Sequence, residues 1–471
     1  MSSESNQQET EISTRKHRGT REVDMLHGPL AGKLFLFALP LAISSILQQL
    51  FNSADLAVVG RFDSSQAMAA VGSNAALVNL LISLFSGLSV GANVVVASLI
   101  GQGRKKEISR AVHTVILLAI ICGFIVCGLG LAIAPQLLRM MNTPDDVLHL
   151  AELYLRIYFI GMPFFMLYNF GSAIQRSKGD STTPLVALII SGIVNVFLNL
   201  FFVIVCHLGV AGVAIATDIS SGISAAIVIV TLARDEEPYR LHVRELSIDG
   251  TDLKRIIAVG LPAGLQGMVF SLSNVVIQSG INSFGAAGIA GSTAGQNFEF
   301  MSYFVVNGFA QACVTFTSQN FAAGEIERCK KVNRLCMLIG LSCTLAVSAV
   351  FLAGRYLFIR VFTTDEEVIT FAVLRMWFVC MPELLTGTYE IPGGALRGMN
   401  HSLTPTVITV LGSCVFRLIY IATVFQMNHE YWVLMVEYPI SWVITGIACN
   451  IAYYRIRGKE FSRIRAARAE G

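Results

Sequence analysis

Twelve long apolar segments constrain the fold of this 471-residue chain more than any other feature of its sequence. Each can supply the roughly 20 apolar residues that a helix needs to cross a bilayer. Hydrophobic residues make up 54% of the chain and charged residues only 14%, whereas soluble proteins carry about 25% charge. The apolar runs are continuous rather than alternating, which predicts an all-α integral membrane protein and not a β-barrel. The predicted spans are 34–60, 74–99, 111–134, 150–174, 184–206, 210–233, 255–281, 292–320, 332–354, 371–394, 405–427 and 431–455.

The basic residues are distributed unequally over the loops between these spans. If successive spans alternate in direction, most of the 34 lysines and arginines lie on the side of the two termini, a group that includes Arg176 and Arg397. Basic loops stay in the cytoplasm, so this distribution predicts a multi-pass membrane protein with both termini in the cytoplasm. The loops on the other side contain Arg61, Arg139, Arg355 and Arg360.

Polar segments divide the chain into domains. Residues 1–27 are mostly polar and predict a disordered cytoplasmic tail. The other predicted units are an N-terminal six-helix bundle (28–233), a cytoplasmic inter-bundle loop (234–254), a C-terminal six-helix bundle (255–455) and a basic cytoplasmic tail (456–471). The ten cysteines form no C-x-x-C pair, which favours packing thiols over disulfides or a metal site. The net charge of +3 gives no indication of a nucleic-acid partner.

The first half of the chain resembles the second at a spacing of about 220 residues. The segment "GMPFFMLYNFGSAIQRSKGDSTTP" aligns with "CMPELLTGTYEIPGGALRGMNHSLTP", which pairs Arg176 with Arg397 and Asn169 with Glu390. The two halves are therefore parallel repeats, related by a pseudo-twofold axis along the membrane normal. Many transporters are built this way, with the substrate path between the repeats, although some channels are also duplicated.

Several motifs in both halves carry a family resemblance. They are "ALP" with the "ADLAVVGRF" that follows it, "GQGR", "AIQRSKGDSTTP", "ALRGMNHSLTP" and the "MP" before each of the last two. Together they resemble the multidrug and toxic compound extrusion (MATE) family over essentially the whole chain beyond the first tail. The resemblance implies a V-shaped fold of two six-helix bundles and a cavity open to one side at a time. It also implies a monomer of the bacterial inner membrane, without cofactors, that exports bulky, often cationic compounds against proton or sodium influx. The expected partners are therefore small-molecule substrates and membrane lipids.

Asp55 is the single acidic residue in the first span. A charge at the centre of a bilayer costs about 2.5–3.5 kcal/mol, so it needs a partner, a water-filled cavity or a function. Gln48, Asn52 and Asp55 are spaced by four and three residues and therefore share one helix face. Because a low dielectric disfavours a carboxylate, this face predicts a residue that loads and releases a proton. The alternative is a structural aspartate bonded to neighbouring amides.

A second polar face lies on the fifth span, where Asn195 and Asn199 are four residues apart. In the DinF-like branch of the family, the cation site combines an aspartate of the first helix with an asparagine and an aspartate of the fifth. Asp55 and Asn195 match that pattern, but Asn199 stands at the position of the second aspartate. One carboxylate with amides is a poor ligand set for sodium, which favours protons. The predicted coupling residues are Asp55, Asn195, Asn199, Asn169 and Asn52.

The second half contributes its own buried acids, Glu299, Glu383 and Glu390. They can attract a cationic compound in the cavity, although Glu299 can instead pair with Arg375 or Arg417, and Arg417 can pair with an acid. The predicted substrate cavity comprises Glu299, Glu390, Glu383, Gln48 and Arg417.

These features predict a secondary antiporter that exports bulky cationic or amphipathic compounds by alternating access in exchange for protons or sodium. Protonation of Asp55 neutralises its charge and favours release of the compound outward. The main alternative is a flippase for lipid-linked or polysaccharide substrates from the same superfamily, which would need several buried basic residues. A channel is a further alternative. An enzyme or primary pump is not supported, since the sequence contains no H-E-x-x-H, G-x-S-x-G or Walker motif.

Overall fold

The structure is a computed structural model that describes residues 22–140 and 145–470. Helices dominate these residues, which include no β-strand, and they follow the predicted spans one for one. The first half contains α1 (Leu30–Phe62), α2 (Ser65–Gly101), α3 (Lys105–Met140), α4 in two pieces (Asp145–Ile160 and Met162–Ser177), α5 (Thr182–Val205) and α6 (Gly209–Ala233). The second half contains α7 (Gly250–Asn282), α8 (Gly285–Ala322), α9 (Ile326–Ala353), α10 (Glu366–Gly398), α11 (Leu403–Met427) and α12 (Tyr431–Glu470).

Three of these helices change geometry along their length. Helix α5 is α-helical over Thr182–Leu200 and ends in a π-helical turn, Phe201–Val205. Helix α10 is built from Glu366–Arg375, the π-helical turn Met376–Cys380, the 3-10 turn Met381–Thr386 and Gly387–Gly398. Helix α11 is built from Leu403–Thr409, the π-helical stretch Val410–Val415, Phe416–Ala422 and Val424–Met427. A 3-10 turn at Val243–Glu245 and a five-residue α-helix at Arg355–Ile359 lie outside the twelve helices named above.

Helix α8 differs from the other predicted spans. The described residues include ten helices that are long and apolar enough to cross a membrane, and an eleventh if the bent α4 counts as one span, but α8 is not among them. Its sequence includes "GSTAGQNFEF", and it packs against α1, α2, α9 and α10. Much of its polar surface therefore faces protein, because the neighbouring helices replace lipid around it.

The two halves meet closely along α2 and α7. A Cβ atom at Gly87 would lie 2.1 Å from the backbone nitrogen of Gly264, and one at Gly91 would lie 2.3 Å from the carbonyl oxygen of Ile256. A Cβ atom at Gly264 would lie 2.2 Å from the carbonyl oxygen of Leu84. Only glycine permits such backbone contact, which is a usual way for membrane helices to pack without a hydrophobic driving force.

Polar contacts tie the two halves together near the face of the molecule where α1 begins and α12 ends, which we call the terminal face. Thr315 Oγ1 donates to Asn93 Oδ1 at 3.1 Å, and Gln319 Nε2 donates to the carbonyl oxygen of Ser177 at 2.6 Å. At the same face, Arg110 Nε donates to Asp252 Oδ2 at 3.1 Å. The halves are thus joined at the terminal face.

The segment before α1 also joins the two halves. Val23 N–H donates to the carbonyl oxygen of Gly179 in the first half. Met25 is buried in the core of the second half, and its carbonyl oxygen accepts hydrogen bonds from Asn320 and Arg328. The prediction of a disordered tail over 1–27 is therefore wrong for residues 22–27, because polar and apolar contacts with both halves hold them. Residues 1–21 lie outside the described part of the chain.

The other domain limits shift at α7 and α12. Helix α7 begins at Gly250, inside the predicted loop 234–254, because Asp249 caps it by accepting hydrogen bonds from the backbone of Thr251 and Asp252. Helix α12 continues through the predicted tail 456–471 as far as Glu470. Phe461 on this extension is buried in the core of the second half, which explains why the helix does not end at the membrane surface.

Candidate functional site

Asp55 lies on α1 where this helix faces α5 and α6, and only 6% of its surface is exposed. Asn199 Nδ2 of α5 donates to Asp55 Oδ1 at 2.5 Å and also to Asn195 Oδ1 at 3.2 Å. Thr217 Oγ1 of α6 donates to Asp55 Oδ2 at 3.2 Å. The structure therefore brings together three predicted coupling residues, Asp55, Asn195 and Asn199.

A small pocket of about 90 Å³ opens beside this carboxyl group. Asn52 lines it together with Asp55 and Asn195, as their positions on the helix faces predict. No lysine, arginine or histidine within the described residues pairs with Asp55; its two hydrogen-bond partners are neutral. A buried carboxylate without a cationic partner carries a large desolvation cost, so this environment suits a group that binds a proton.

Helix α6 contributes to this pocket, which was not predicted from the sequence. Thr217, Ser220, Ser221 and Ser224 all line it. Their spacing of three, one and three residues places these hydroxyls on one face of the helix. That spacing was the available signal, but short hydroxyl side chains are common in membrane helices and do not stand out as a lone aspartate does.

The ligand set around Asp55 is arranged poorly for a metal ion. The amide nitrogen of Asn199 points at Asp55 Oδ1 and at Asn195 Oδ1, so an N–H donor occupies the space between the two oxygens that would coordinate a cation. Within the described residues, no group of three or more His, Cys, Asp or Glu side chains is placed to hold a metal ion. Sodium prefers several converging oxygen atoms, which this arrangement does not offer.

Asp218, on the same helix as Thr217, lies against the break between the two pieces of α4. A Cβ atom at Gly161 would lie 1.9 Å from Asp218 Oδ1, so the carboxyl group occupies the space beside this glycine. The axis of α4 bends by 47° between its two pieces. This placement indicates a structural role for Asp218 at the bend.

A larger cavity of about 290 Å³ lies between the two halves. Gln48, Tyr168 and Leu188 line both this central cavity and the Asp55 pocket, so the two spaces share a wall. The full lining of the central cavity is Leu41, Ser44, Ser45, Gln48, Ser86, Ser89, Val90, Tyr168, Asn169, Arg176, Pro184, Leu188, Asn307, Ala310, Gln311, Val314, Glu390 and Arg397.

Of the residues predicted for the substrate cavity, Gln48 and Glu390 line this space. Asn169, predicted as a coupling residue, also lines the central cavity, and its side chain donates to the carbonyl oxygen of Phe165 at 2.9 Å. It is not among the residues that line the Asp55 pocket, and its role in coupling stays a prediction.

Glu299, Glu383 and Arg417 belong to a buried network in the C-terminal bundle, so their assignment to the cavity is wrong. Glu299 Oε2 pairs with Arg375, with Nη2 at 2.8 Å and Nε at 2.9 Å. This pairing satisfies the charge of Glu299 within the protein and confirms the alternative drawn from the sequence. Glu383 is 2% exposed.

Arg417 is held in the same bundle by polar and aromatic contacts. Its Nε donates to Ser441 Oγ at 3.0 Å, and its guanidinium lies 4.5 Å from the centre of the Tyr438 ring. A cation over an aromatic face is stabilised by the ring quadrupole, which explains how this arginine tolerates burial.

Two arginines of the central cavity were not predicted from the sequence as cavity residues. Arg176 and Arg397 were placed with the loop residues of the terminal side, but both lie within helices and line the central cavity. They are near the helix ends, where a basic residue looks like a topology signal. Their alignment in the two repeats was the feature that could have identified them.

Known proteins match this chain separately in each of its two repeats or along most of its length. The MatE family model matches residues 40–201 and again residues 262–423, once in each half. Two similar relatives are the "Probable multidrug resistance protein YoeA" of Bacillus subtilis and the "Multidrug export protein MepA" of Staphylococcus aureus. The first is 28% identical over 387 residues, covering 80% of this chain and 82% of YoeA. The second is 21% identical over 435 residues, covering 92% of this chain and 95% of MepA.

Solved structures share the fold. "Crystal structure of MATE in the bent conformation" superposes with a TM-score of 0.84 at 22% identity, covering 96% of this chain and 99% of that one. "Outward-facing conformation of a multidrug resistance MATE family transporter of the MOP superfamily" has a TM-score of 0.85 at 22% identity, covering 95% and 99%. These likenesses confirm the predicted MATE-like membrane fold. Because the family model covers more than half of the sequence and recurs in both repeats, the chain belongs to the MatE family.

Proposed function

We propose that this protein is a secondary antiporter that exports bulky cationic or amphipathic compounds in exchange for protons. In this proposal it acts as a monomer in the bacterial inner membrane, with both termini in the cytoplasm. The observation that carries the proposal is a buried carboxyl group, Asp55, that has only neutral partners and lies in a pocket sharing a wall with the central cavity. The multidrug names of the relatives YoeA and MepA agree with it.

The hydrogen bonds of Thr217 allow Asp55 to exist with or without a proton. The Thr217 hydroxyl lies 3.2 Å from Asp55 Oδ2 and 2.9 Å from the carbonyl oxygen of Val213. When Asp55 is ionised, the hydroxyl donates to the carboxylate. When Asp55 is protonated, its O–H donates to the Thr217 oxygen while the threonine donates to Val213. Both states therefore keep their hydrogen bonds, as a reversible proton site requires.

The shared wall provides a route by which the proton and the exported compound affect each other. Gln48 is seven residues before Asp55 on α1 and borders both spaces. A change in the charge of Asp55 alters the hydrogen bonding of α1 against α5 and α6, and α1 carries part of the central cavity with it. If each ligand favours a different position of α1, then each weakens the binding of the other.

The contacts between the halves support a cycle of alternating access. They are closed on the terminal face, which we assign to the cytoplasm, by the glycine contacts of α2 with α7 and by the segment before α1. We assign this arrangement to the state that releases compounds outward. Opening toward the cytoplasm requires separation of α2 from α7.

The proposal is tested by efflux from proteoliposomes with a pH gradient or a sodium gradient imposed separately. We choose rhodamine B ethyl ester, a lipophilic cation, and rhodamine B, the zwitterion with a free carboxylate, as fluorescent probes. We expect the pH gradient to drive transport of at least one of them and the sodium gradient to drive neither. Asp55→Asn should abolish the pH-driven transport.

Asp63→Asn is the matched control, because Asp63 follows the same helix but is exposed to solvent. We expect it to transport as the wild type does. Full pH-driven transport by Asp55→Asn would refute the proposal. Loss of transport in Asp63→Asn as well would show that the assay reports damage to the protein and would remove support for a role of Asp55. Transport of lipid-linked phosphates but not of either dye would favour the flippase.

A further inference from the structure

The central cavity carries an unbalanced positive charge, and this charge points to the kind of compound it binds. The charged side chains that line it are Arg176 from the first half and Arg397 and Glu390 from the second. The two arginines occupy equivalent positions in the two repeats, as do Asn169 and Glu390. The second half therefore supplies an acid beside its arginine, whereas the first half supplies a neutral amide.

Arg397 has partners within the protein. Its Nη2 donates to Gln266 Oε1 at 2.8 Å, and its Nη1 lies 4.0 Å from Glu390 Oε2. Only 9% of its surface is exposed. The charge of Arg397 is thus largely balanced by Glu390, and its hydrogen-bonding capacity is partly used.

Arg176 differs from Arg397 both in its partners and in its exposure. In the part of the chain that the structure describes, no carboxylate pairs with it and no side chain or carbonyl accepts a hydrogen bond from it. Asn169, which replaces the acid of the second half, turns its own N–H to the carbonyl oxygen of Phe165 instead. Arg176 is half-buried and lines the central cavity. Its guanidinium therefore presents N–H donors to the cavity that no hydrogen bond within the described residues uses.

The rest of the lining completes an amphipathic site. Ser44, Ser86, Asn307 and Gln311 add neutral polar groups, while residues such as Leu41, Val90 and Val314 supply apolar surface. A cavity with one unpaired guanidinium attracts oxyanions, because arginine binds planar acidic groups through paired hydrogen bonds. A singly cationic compound would instead meet a positive charge of the same sign.

We infer that Arg176 binds an acidic group of the exported compound, so that the cavity prefers zwitterionic or acidic amphipathic compounds to simple cations. The compound's acidic group pairs with Arg176, its apolar part contacts the leucine and valine side chains, and any amino group faces Glu390. This inference rests on the proposed function, since it takes the central cavity as the binding site for the exported compound.

Equilibrium binding to the purified full chain in uncharged detergent tests this inference without any ion gradient. Fluorescence anisotropy titrations compare rhodamine B with its ethyl ester, which have the same ring system and differ in the free carboxylate. We expect the wild type to bind rhodamine B at least about tenfold more tightly than the ester, the size of one charge-assisted contact. Arg176→Gln should remove this preference, and Arg176→Lys should keep part of it.

A second variant keeps the test decisive if Arg176→Gln does not fold. Asn169→Glu installs beside Arg176 the acid that the second repeat already has, and it should weaken rhodamine B binding while leaving or strengthening ester binding. Arg104→Gln, in an exposed turn of the terminal face, is the control and should bind both dyes as the wild type does.

Equal affinities of the wild type for the two dyes would overturn the inference. Equal loss of both dyes in Arg176→Gln would also overturn it, because that result indicates a structural role rather than recognition of an acid. Neither outcome bears on proton coupling, which the Asp55→Asn transport assay measures separately. The two proposals can therefore fail independently.

Discussion

The contact between α2 and α7 predicts that one added methyl group at residue 87 will open the terminal face. In the present structure, a Cβ atom there would lie 2.1 Å from the nitrogen and 2.3 Å from the Cα atom of Gly264. An ordinary contact needs at least 3.4 Å, so Gly87→Ala requires the two helices to separate by about 1.3 Å. Both clashing atoms belong to the backbone and cannot move aside as a flexible side chain would.

Such overpacking costs about 1–3 kcal/mol, which lowers the population of the closed terminal face by about 5- to 150-fold relative to the open one. The assay is a pulsed electron paramagnetic resonance measurement between spin labels at Lys106 and Arg334, two exposed residues in different halves. The labels are attached in a cysteine-free background. We expect Gly87→Ala to shift the distance distribution toward longer separations.

Gly128→Ala is the matched control, because a Cβ atom at this helical position of α3 meets nothing within 4 Å. It should leave the distances unchanged. Gly264→Ala should reproduce the effect of Gly87→Ala from the other helix, since its Cβ atom would lie 2.2 Å from the carbonyl oxygen of Leu84. A folded Gly87→Ala protein with the distances of the wild type would refute the close contact of α2 and α7.

Two further predictions concern buried charges. Glu299→Ala leaves Arg375 buried and unpaired and should lower the free energy of unfolding by about 3–5 kcal/mol. The double variant, Glu299→Ala with Arg375→Met, should recover much of the lost melting temperature. Equal melting temperatures for the single and double variants would contradict the pairing of Glu299 with Arg375. Burial lowers the pKa of Lys178, but its hydrogen bond to Asp235 and the charge of Glu22 raise the pKa above its ordinary value. This stabilisation is therefore complete below the unfolded pKa of about 10.4 and lost only as the pH rises through the folded pKa. Lys178→Met should lower the melting temperature equally at about pH 6 and about pH 9, and a difference present at only one of them would contradict this account.

The helices could be predicted because their signals are local. A run of apolar residues identifies a membrane helix, and the resemblance of "QRSKGDSTTP" to "LRGMNHSLTP" identifies the duplication. Local signals could not predict the lengths of α7 and α12 or the position of residues 22–27, because these features depend on contacts with distant residues. Met25, for example, packs in a core formed mostly by the second half of the chain.

The same distinction applies to the site. Asp55 stands out in an apolar span, and the four-residue spacing of Asn195 and Asn199 identifies their common face. Thr217 could not be predicted as a partner of Asp55, since nothing local indicates which face of α6 meets α1. The pairing of Glu299 with Arg375 likewise joins two spans, and the sequence gives no register between α8 and α10.

The arginines of the central cavity show how one residue type carries two signals. Arg176 and Arg397 lie near the ends of helices, where basic residues usually mark the cytoplasmic side. Their position is consistent with that role, yet the structure places both at the cavity wall. At helix ends, the sequence alone therefore does not distinguish a basic residue that sets the topology from one that lines a cavity.

We propose that Asp55 exchanges a proton in competition with the exported compound. The most direct measurement is the release of protons when a compound binds to the purified protein in weakly buffered solution, followed with a pH-indicator dye. Rhodamine B or its ester, whichever binds more tightly, serves as the compound. We expect proton release from the wild type and none from Asp55→Asn at matched saturation; equal release from both proteins would show that Asp55 is not the group that exchanges the proton.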